Sequence, residues 1–191
     1  VPWSPIYGLS VVKYKPHLST YPRSGSHYFD RLFEKESGFR IEKTHTINWA
    51  FDKDHNKQRV IITIARDPRD SIASYIAAEH RGVYEVTWQR VNQIVSEYIL
   101  LYSFLYEHAD YVIDFNDLVK YPDTTIKKLI ELLDIKEDEH HLFDGDYGQP
   151  DPFFVESSKD LPDYNKDLSD DLNIGLCYYY YNKLLEKKII I

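Results

Sequence analysis

Residues 58–65 read QRVIITIA, a β-branched apolar run. A strand of this kind has to be covered on both faces, which is the situation of a strand inside a parallel sheet flanked by helices. Asp67-Pro68 follows at once, an N-cap residue and then proline at the first helical position, so the strand turns directly into a helix. The same alternation recurs along the chain. HLSTY (17–21) reads as a short strand, and SHYFDRLFEKES (26–37) places Phe29, Leu32 and Phe33 at helical spacing. FRIEKT (39–44) alternates as a strand. Residues 85–108 form a long amphipathic helix with Val91, Ile94, Val95, Tyr98, Leu101, Tyr102 and Leu105 on one side. DYVIDF (110–115) reads as a strand, DTTIKKLIELLD (123–134) as a helix, and residues 169–187 as a final helix. Strands alternating with helices imply one α/β domain over residues 1–191, three-layer α/β/α around a central parallel sheet. Ligands of such sheets sit at the carboxyl ends of the strands.

Charge narrows the function. A net charge of −8 disfavours nucleic acid as a partner, because that surface needs a basic face. Any anion site must be a local concentration of positive groups. The apolar runs are too short to cross a membrane, and the opening residues do not read as a signal peptide. Cys177 is the single cysteine, so no intrachain disulfide can form; this points to a reducing, cytoplasmic setting. Of 17 tyrosines, four stand together at Tyr178 to Tyr181, a pattern expected of amphipathic side chains at core edges.

Three segments end strands on the ligand-binding side. In the first, Pro22-Arg23-Ser24-Gly25-Ser26 joins a strand to a helix. Such a junction offers free backbone N–H groups and the positive end of the helix dipole, a cradle for phosphate or sulfate. Arg23 adds a charge, Ser24 and Ser26 add hydroxyls, and Gly25 adds backbone without a Cβ. The G-x-x-x-x-G-K-[ST] phosphate loop is not met, since Ser26 and His27 follow Gly25, and a lysine for a γ-phosphate is missing. On its own, a Ser-Gly turn capping a helix is also ordinary structure. The second segment is Lys43-Thr44-His45. Alternation puts Lys43 and His45 on the same side, and an ammonium beside an imidazole keeps it neutral near pH ~7, as a general base requires. The third is IARDPRDSIASY (64–75). Arg66 closes the buried strand and Ser74 lies about 9 Å along the next helix, so a guanidinium and a hydroxyl flank one anion. The cluster EDEHHLFDGD (137–146) has metal-ligand residue types but neither zinc nor EF-hand spacing, and reads as an acidic solvated loop.

Together these segments resemble the sulfotransferases that use 3′-phosphoadenosine-5′-phosphosulfate (PAPS), in a short form of the cytosolic type. TYPRSGSHY (20–28) is similar to the family's T-Y-P-K-S-G-T-T-W, Lys43-Thr44-His45 to its K-T-H, and RDPRDSIAS (66–74) to its R-N-P-K-D-x-x-x-S. FNDLVKYPDTTIKKLIELL (115–133) is similar to its Y-E-D-L, acidic-Pro turn and helix. The resemblance covers about residues 17–135, with the motifs in order. It implies a P-loop-NTPase-like sulfotransferase fold and PAPS as co-substrate, with no metal. Arg23, Ser24, Gly25, Ser26 and His27 would hold the phosphosulfate, with Tyr28 and Phe115 by the adenine. Arg66 and Ser74 would bind the 3′-phosphate. His45 would be the base, and Lys43 and Arg23 would stabilise the transferring group. Arg23 stands where the family has lysine, His27 where it has threonine, Tyr28 where it has tryptophan and Phe115 where it has tyrosine. The family's C-terminal Arg-Lys-Gly segment has no clear counterpart, Lys159 being a candidate substitute, and the stretch between the first loop and K-T-H is short.

The expected activity is transfer of a sulfuryl group to a hydroxyl or amine of a small-molecule or glycan acceptor. The net charge argues for a neutral or weakly charged acceptor over a polyanion. Two alternatives stay open on sequence alone: a protein that holds PAPS or its product without turnover, and a nucleotide or nucleoside kinase. Neither the acceptor nor the oligomeric state is legible.

Overall fold

A computed structural model describes residues 15–38, 40–45, 59–80, 87–135, 168 and 173–190. Their order is β1 (Lys15–Ser19), α1 (Ser26–Ser37), β2 (Glu42–Thr44), β3 (Arg59–Ala65), α2 (Pro68–His80), α3 (Trp88–His108), β4 (Tyr111–Asp114), α4 (Phe115–Lys120), α5 (Pro122–Leu132) and α6 (Ile174–Leu185). The strands form a four-stranded sheet in the order β2-β1-β3-β4, and every pairing is parallel. Within one residue of the expected end, β3 is the apolar run with which the sequence reading began. The chain goes from β1 to β2 on one side and then returns to β3 on the other. This reversal opens a crevice at the carboxyl ends of β1 and β3, where the loop before α1 lies.

The two faces of β3 explain its composition. Ile62 and Ile64 join one buried cluster with Leu18, Phe29, Phe33, Ile113, Leu118, Ile126 and Leu129, beneath α1, α4 and α5. Ala65, with Ile61 packed beside it, belongs to a second cluster with Ile72, Ile76, Ile94, Tyr98, Leu101, Tyr102, Leu105, Cys177 and Leu184, beneath α2, α3 and α6. Neighbouring residues thus face different layers, and β3 is mostly apolar from Val60 onward because each layer buries its own half. The three-layer architecture follows directly.

The helix ends match their sequence signals. Asp67 caps α2, its Oδ1 accepting the backbone N–H of Arg69 at 2.9 Å and of Asp70 at 3.3 Å. Thr87 caps α3 in the same way, through the N–H of Arg90. Two expectations shift. Phe115, read as the end of a strand, instead starts the short helix α4, because Asp114 caps it by accepting the N–H of Asn116. The final helix starts at Ile174, later than its periodicity suggested. Of the tyrosine run, Tyr181 is buried and Tyr178 and Tyr180 pack against the core, while Tyr179 is exposed. Tyr178 also donates to both carboxylate oxygens of Asp67, at 3.2 and 3.0 Å, tying α6 to the start of α2. The acidic stretch 137–146 and Lys159 lie outside the described residues.

His17 is a buried titratable group in β1, only 4% exposed. Its Nδ1 lies 3.7 Å from Glu42 Oε2, and Arg59 pairs with the same carboxylate at 3.2 Å. Burial, and secondarily the charge of Arg59, holds the imidazole below its ordinary value of 6.5. The folded state therefore binds fewer protons than the unfolded chain below that value. The stability involved is complete above pH 6.5 and is lost as pH falls through the lowered folded value. His27 is lowered as well, again mainly by burial, and acts in the same direction. Urea unfolding at a series of pH values should show stability falling from pH 6.5 towards about 5, with a shallower fall for His17→Leu. An unchanged slope in that variant would show that the acid sensitivity arises elsewhere.

Candidate active site

Thr20, the first residue beyond β1, joins three strand ends. Its N–H donates to Thr44 O at 3.2 Å, its hydroxyl donates to Ile64 O at 2.9 Å, and its carbonyl meets His45 Nδ1 at 2.8 Å. A carbonyl only accepts, so the proton of a neutral His45 is on Nδ1 and Nε2 carries a free lone pair. The end of β1 thereby fixes both the place and the tautomer of this ring.

The loop then bends sharply into α1. Ser24 N–H bonds to Tyr21 O at 3.2 Å, and Arg23 and Gly25 both take the left-handed conformation, with φ of 66° and 91°. Gly25 is the N-cap of α1. No side chain caps this helix, and its first turn contains no acidic residue, so the positive end of the helix dipole meets the pocket uncompensated. Gly25 is required for a second reason. A Cβ there would stand 2.7 Å from Phe115 Cε2.

Arg66 is held from several sides. Its N–H donates to Tyr102 Oη at 3.2 Å, and its carbonyl accepts from Tyr98 Oη at 3.0 Å. Burial pushes both phenols up, so they remain protonated donors. The guanidinium stacks on the Phe115 ring, 4.5 Å from its centre, and Nη1 donates to Arg23 O at 2.5 Å. Among the described residues no carboxylate pairs with it, and its Nε is buried without a hydrogen-bond partner. Burial pulls its pKa below the ordinary arginine value, partly offset by Asp70, Tyr102 and Asp67. A half-buried guanidinium with an unused donor suits an anion. Across the crevice, Arg23 Nε donates to Ser74 Oγ at 3.1 Å, linking the loop to α2.

These groups line one pocket of about 630 Å³, bounded by Pro22, Arg23, Gly25, Ser26, His27, Tyr28, Arg31, His45, Arg66, Ser74, Phe115 and Val119. Nine of the eleven site residues singled out from sequence line it, His45 among them; Ser24 and Lys43 are the two that do not. Ser24 is fully buried beneath the loop. Lys43 turns to α1, where Nζ lies 2.7 Å from Asp30 Oδ2 and 3.2 Å from His27 Nδ1. The ammonium expected beside His45 thus makes its contacts with His27. Because an ammonium only donates, a neutral His27 keeps its proton on Nε2. Burial, then Lys43, holds this ring below the ordinary histidine value. The two pocket histidines therefore have opposite tautomers, His27 a donor and His45 an acceptor at Nε2.

Sequence reasoning missed Tyr98, Tyr102, Arg31 and Val119 as parts of the site. The two tyrosines stand one helical turn apart on the apolar side of α3, a pattern that reads as core. Their hydroxyls matter only because the end of β3 passes above them.

A cradle suited to an anion at the switch point of a parallel sheet, beside an imidazole whose Nδ1 meets a backbone carbonyl, is an arrangement suited to group transfer. The chain belongs to the sulfotransferase family: the family model described as the sulfotransferase domain matches residues 13–144, well over half of the 191. No curated protein sequence matches the chain.

Gly25→Ala tests how the loop and Phe115 fit together. An alanine in the left-handed region costs about 1–2 kcal/mol, and the Phe115 ring must also move. Denaturant unfolding should show a loss at least that large in the native background and a smaller one in a Phe115→Ala background, since removing the ring leaves only the backbone strain. Equal losses in the two backgrounds would show that the ring contact is immaterial.

Proposed function

We propose that this sulfotransferase moves a sulfuryl group from PAPS to a hydroxyl or amine. The observation that carries the reading is a single pocket joining the uncapped start of α1, the unpaired Arg66 and His45 with its Nδ1 proton fixed. The residues fit the donor. Arg66 with its buried unused donor, and Ser74, suit the 3′-phosphate. Arg23, Gly25, Ser26 and His27 suit the phosphosulfate, with Ser24 supporting the loop from below. Tyr28 and Phe115 give the pocket aromatic surface for the base.

When bound, PAPS supplies a sulfuryl group whose bond to the 5′-phosphate oxygen breaks as the acceptor oxygen or nitrogen bonds to sulfur, leaving adenosine 3′,5′-bisphosphate. His45 Nε2 takes the acceptor proton, and its Nδ1–H stays on Thr20 O, which steadies the imidazolium that results. Arg23 and the helix start stabilise negative charge on the sulfuryl oxygens and the leaving phosphate. His27 donates from Nε2. Lys43, held by Asp30, sets that tautomer and adds positive potential at the edge of the site.

Turnover with labelled PAPS and pooled acceptors is the direct test. His45→Ala should lower the rate at saturating PAPS by about 10²–10⁴-fold while nucleotide affinity stays nearly intact. His27→Thr should keep most activity, because a threonine hydroxyl also donates. An active His45→Ala beside a dead His27→Thr would reverse the two roles.

Nucleotide selectivity is a separate measurement. Calorimetry should show adenosine 3′,5′-bisphosphate binding about ten- to a hundredfold more tightly than AMP or ATP, the value of a charge-assisted contact of roughly 1.5–3 kcal/mol. Arg66→Ala should abolish the difference. Equal affinities in the native protein would remove the assignment of Arg66 and Ser74 to the 3′-phosphate.

A further inference from the structure

Five basic side chains line the pocket, Arg23, His27, Arg31, His45 and Arg66, and none of its lining residues is a carboxylate. The proposed donor accounts for four of them. Arg23 and His27 stand at the loop and the helix start, Arg66 at the end of β3, and His45 opposite them as the base. Arg31 is left over.

Its position separates it from the donor groups. Arg31 lies six residues beyond the Gly25 cap, about 9 Å of helical rise, whereas His27 is about 3 Å along. It follows His27 at the spacing that places two side chains on the same helix face. Arg31, His27 and His45 line the same pocket, and the charge of Arg31 helps to lower the His27 pKa. Among the described residues Arg31 has no hydrogen bond or ion pair, and its side chain is exposed. The adjacent Asp30 is taken by Lys43 at 2.7 Å, which neutralises that lysine and leaves Arg31 as the uncompensated charge on this wall. An exposed guanidinium with no protein partner on the pocket lining is available to an anion that enters the pocket.

We infer that Arg31 is a specificity-determining residue that selects acceptors bearing an anionic group, such as a carboxylate, beside the hydroxyl or amine to be sulfated. The inference rests on the sulfuryl-transfer reading for the role of His45. The guanidinium is suited to a carboxylate because its fork donates two parallel hydrogen bonds. With the anion on Arg31, the hydroxyl is left to face His45. One such anchor does not make the protein a receptor for polyanions, since the remaining chain repels them at long range.

The experiment uses pairs of acceptors that differ in one group: 4-hydroxyphenylpropionate against its amide, and a phenyl glucuronide against the phenyl glucoside. Each is titrated by calorimetry into the native protein, Arg31→Ala and Arg31→Lys, with and without adenosine 3′,5′-bisphosphate, and each is assayed for turnover with PAPS. The acid of at least one pair should bind at least about tenfold better than its neutral partner. Arg31→Ala should bring that ratio near one, and Arg31→Lys should restore part of it, while the affinity for adenosine 3′,5′-bisphosphate does not change. Acids that bind no better than their neutral partners, or that do not bind at all, overturn the inference. So does an Arg31→Ala variant that loses nucleotide affinity, which would make Arg31 part of the donor site. Failure of the sulfuryl-transfer reading looks different: the acid preference persists in binding, and no acceptor is sulfated.

Discussion

The site depends on keeping one arginine charged inside the protein. Moving a guanidinium away from water is costly, and the usual remedy is a carboxylate. Among the described residues Arg66 has none. It is held instead by an aromatic face, a backbone carbonyl and two phenols that fix its own backbone. Each of these holds the arginine in place without cancelling its charge. A carboxylate partner would have made the fold more comfortable and the pocket useless, because an incoming anion would have to displace it. The same demand reaches the rest of the chain. Phe115 must lie beneath the guanidinium, so Gly25 must lack a Cβ, and the loop must bend through left-handed residues to bring Arg23 O within reach.

This arrangement would reconcile an acidic protein with the anionic donor proposed for it. The net charge sets the far field, which discourages polyanions, but it is screened over about 8–10 Å in physiological salt. Within the pocket the near field comes from three arginines and a helix start with no acidic residue in its first turn. Two acidic side chains on these elements are occupied by local tasks. Asp67 caps α2 and accepts from Tyr178, and Asp30 holds Lys43. Their work on backbone and lysine keeps them from competing with a bound anion.

Much of this was legible in the sequence, and the division is physical. The apolar run at 58–65, the Asp67-Pro68 start and the Ser-Gly junction are local signals, and each produced the element it implied. The interval from Arg66 to Ser74 is also local, because a helix fixes distances along its own length. The contacts of Lys43 were not legible because strand alternation says which side a residue leaves but not what waits there; Asp30 is on another element, and only the packing of α1 against the sheet brings it within 2.7 Å. Tyr98 and Tyr102 looked like core because they are core. Their hydroxyls acquire a role only where β3 ends above α3. Arg31 carries no signal in sequence at all, being one charged residue on an exposed helix face.

The two histidines show how little chemistry distinguishes a base from a ligand donor. Both are imidazoles lining one pocket. What separates them is the partner on Nδ1. A carbonyl at the end of β1 can only accept, which leaves His45 with a lone pair facing outward; an ammonium on β2 can only donate, which leaves His27 with a proton there. For His45 that partner is backbone at a strand end; for His27 it is the Lys43 side chain, itself held by Asp30. A proton acceptor fixed in this way needs no reorganisation before it acts, which is the condition under which a positioned base contributes most to a rate. The sheet register that pairs Ser19 with Thr44 is therefore part of the chemistry: shifting β2 by one residue would turn His45 to the other face and leave the pocket with a donor and no acceptor.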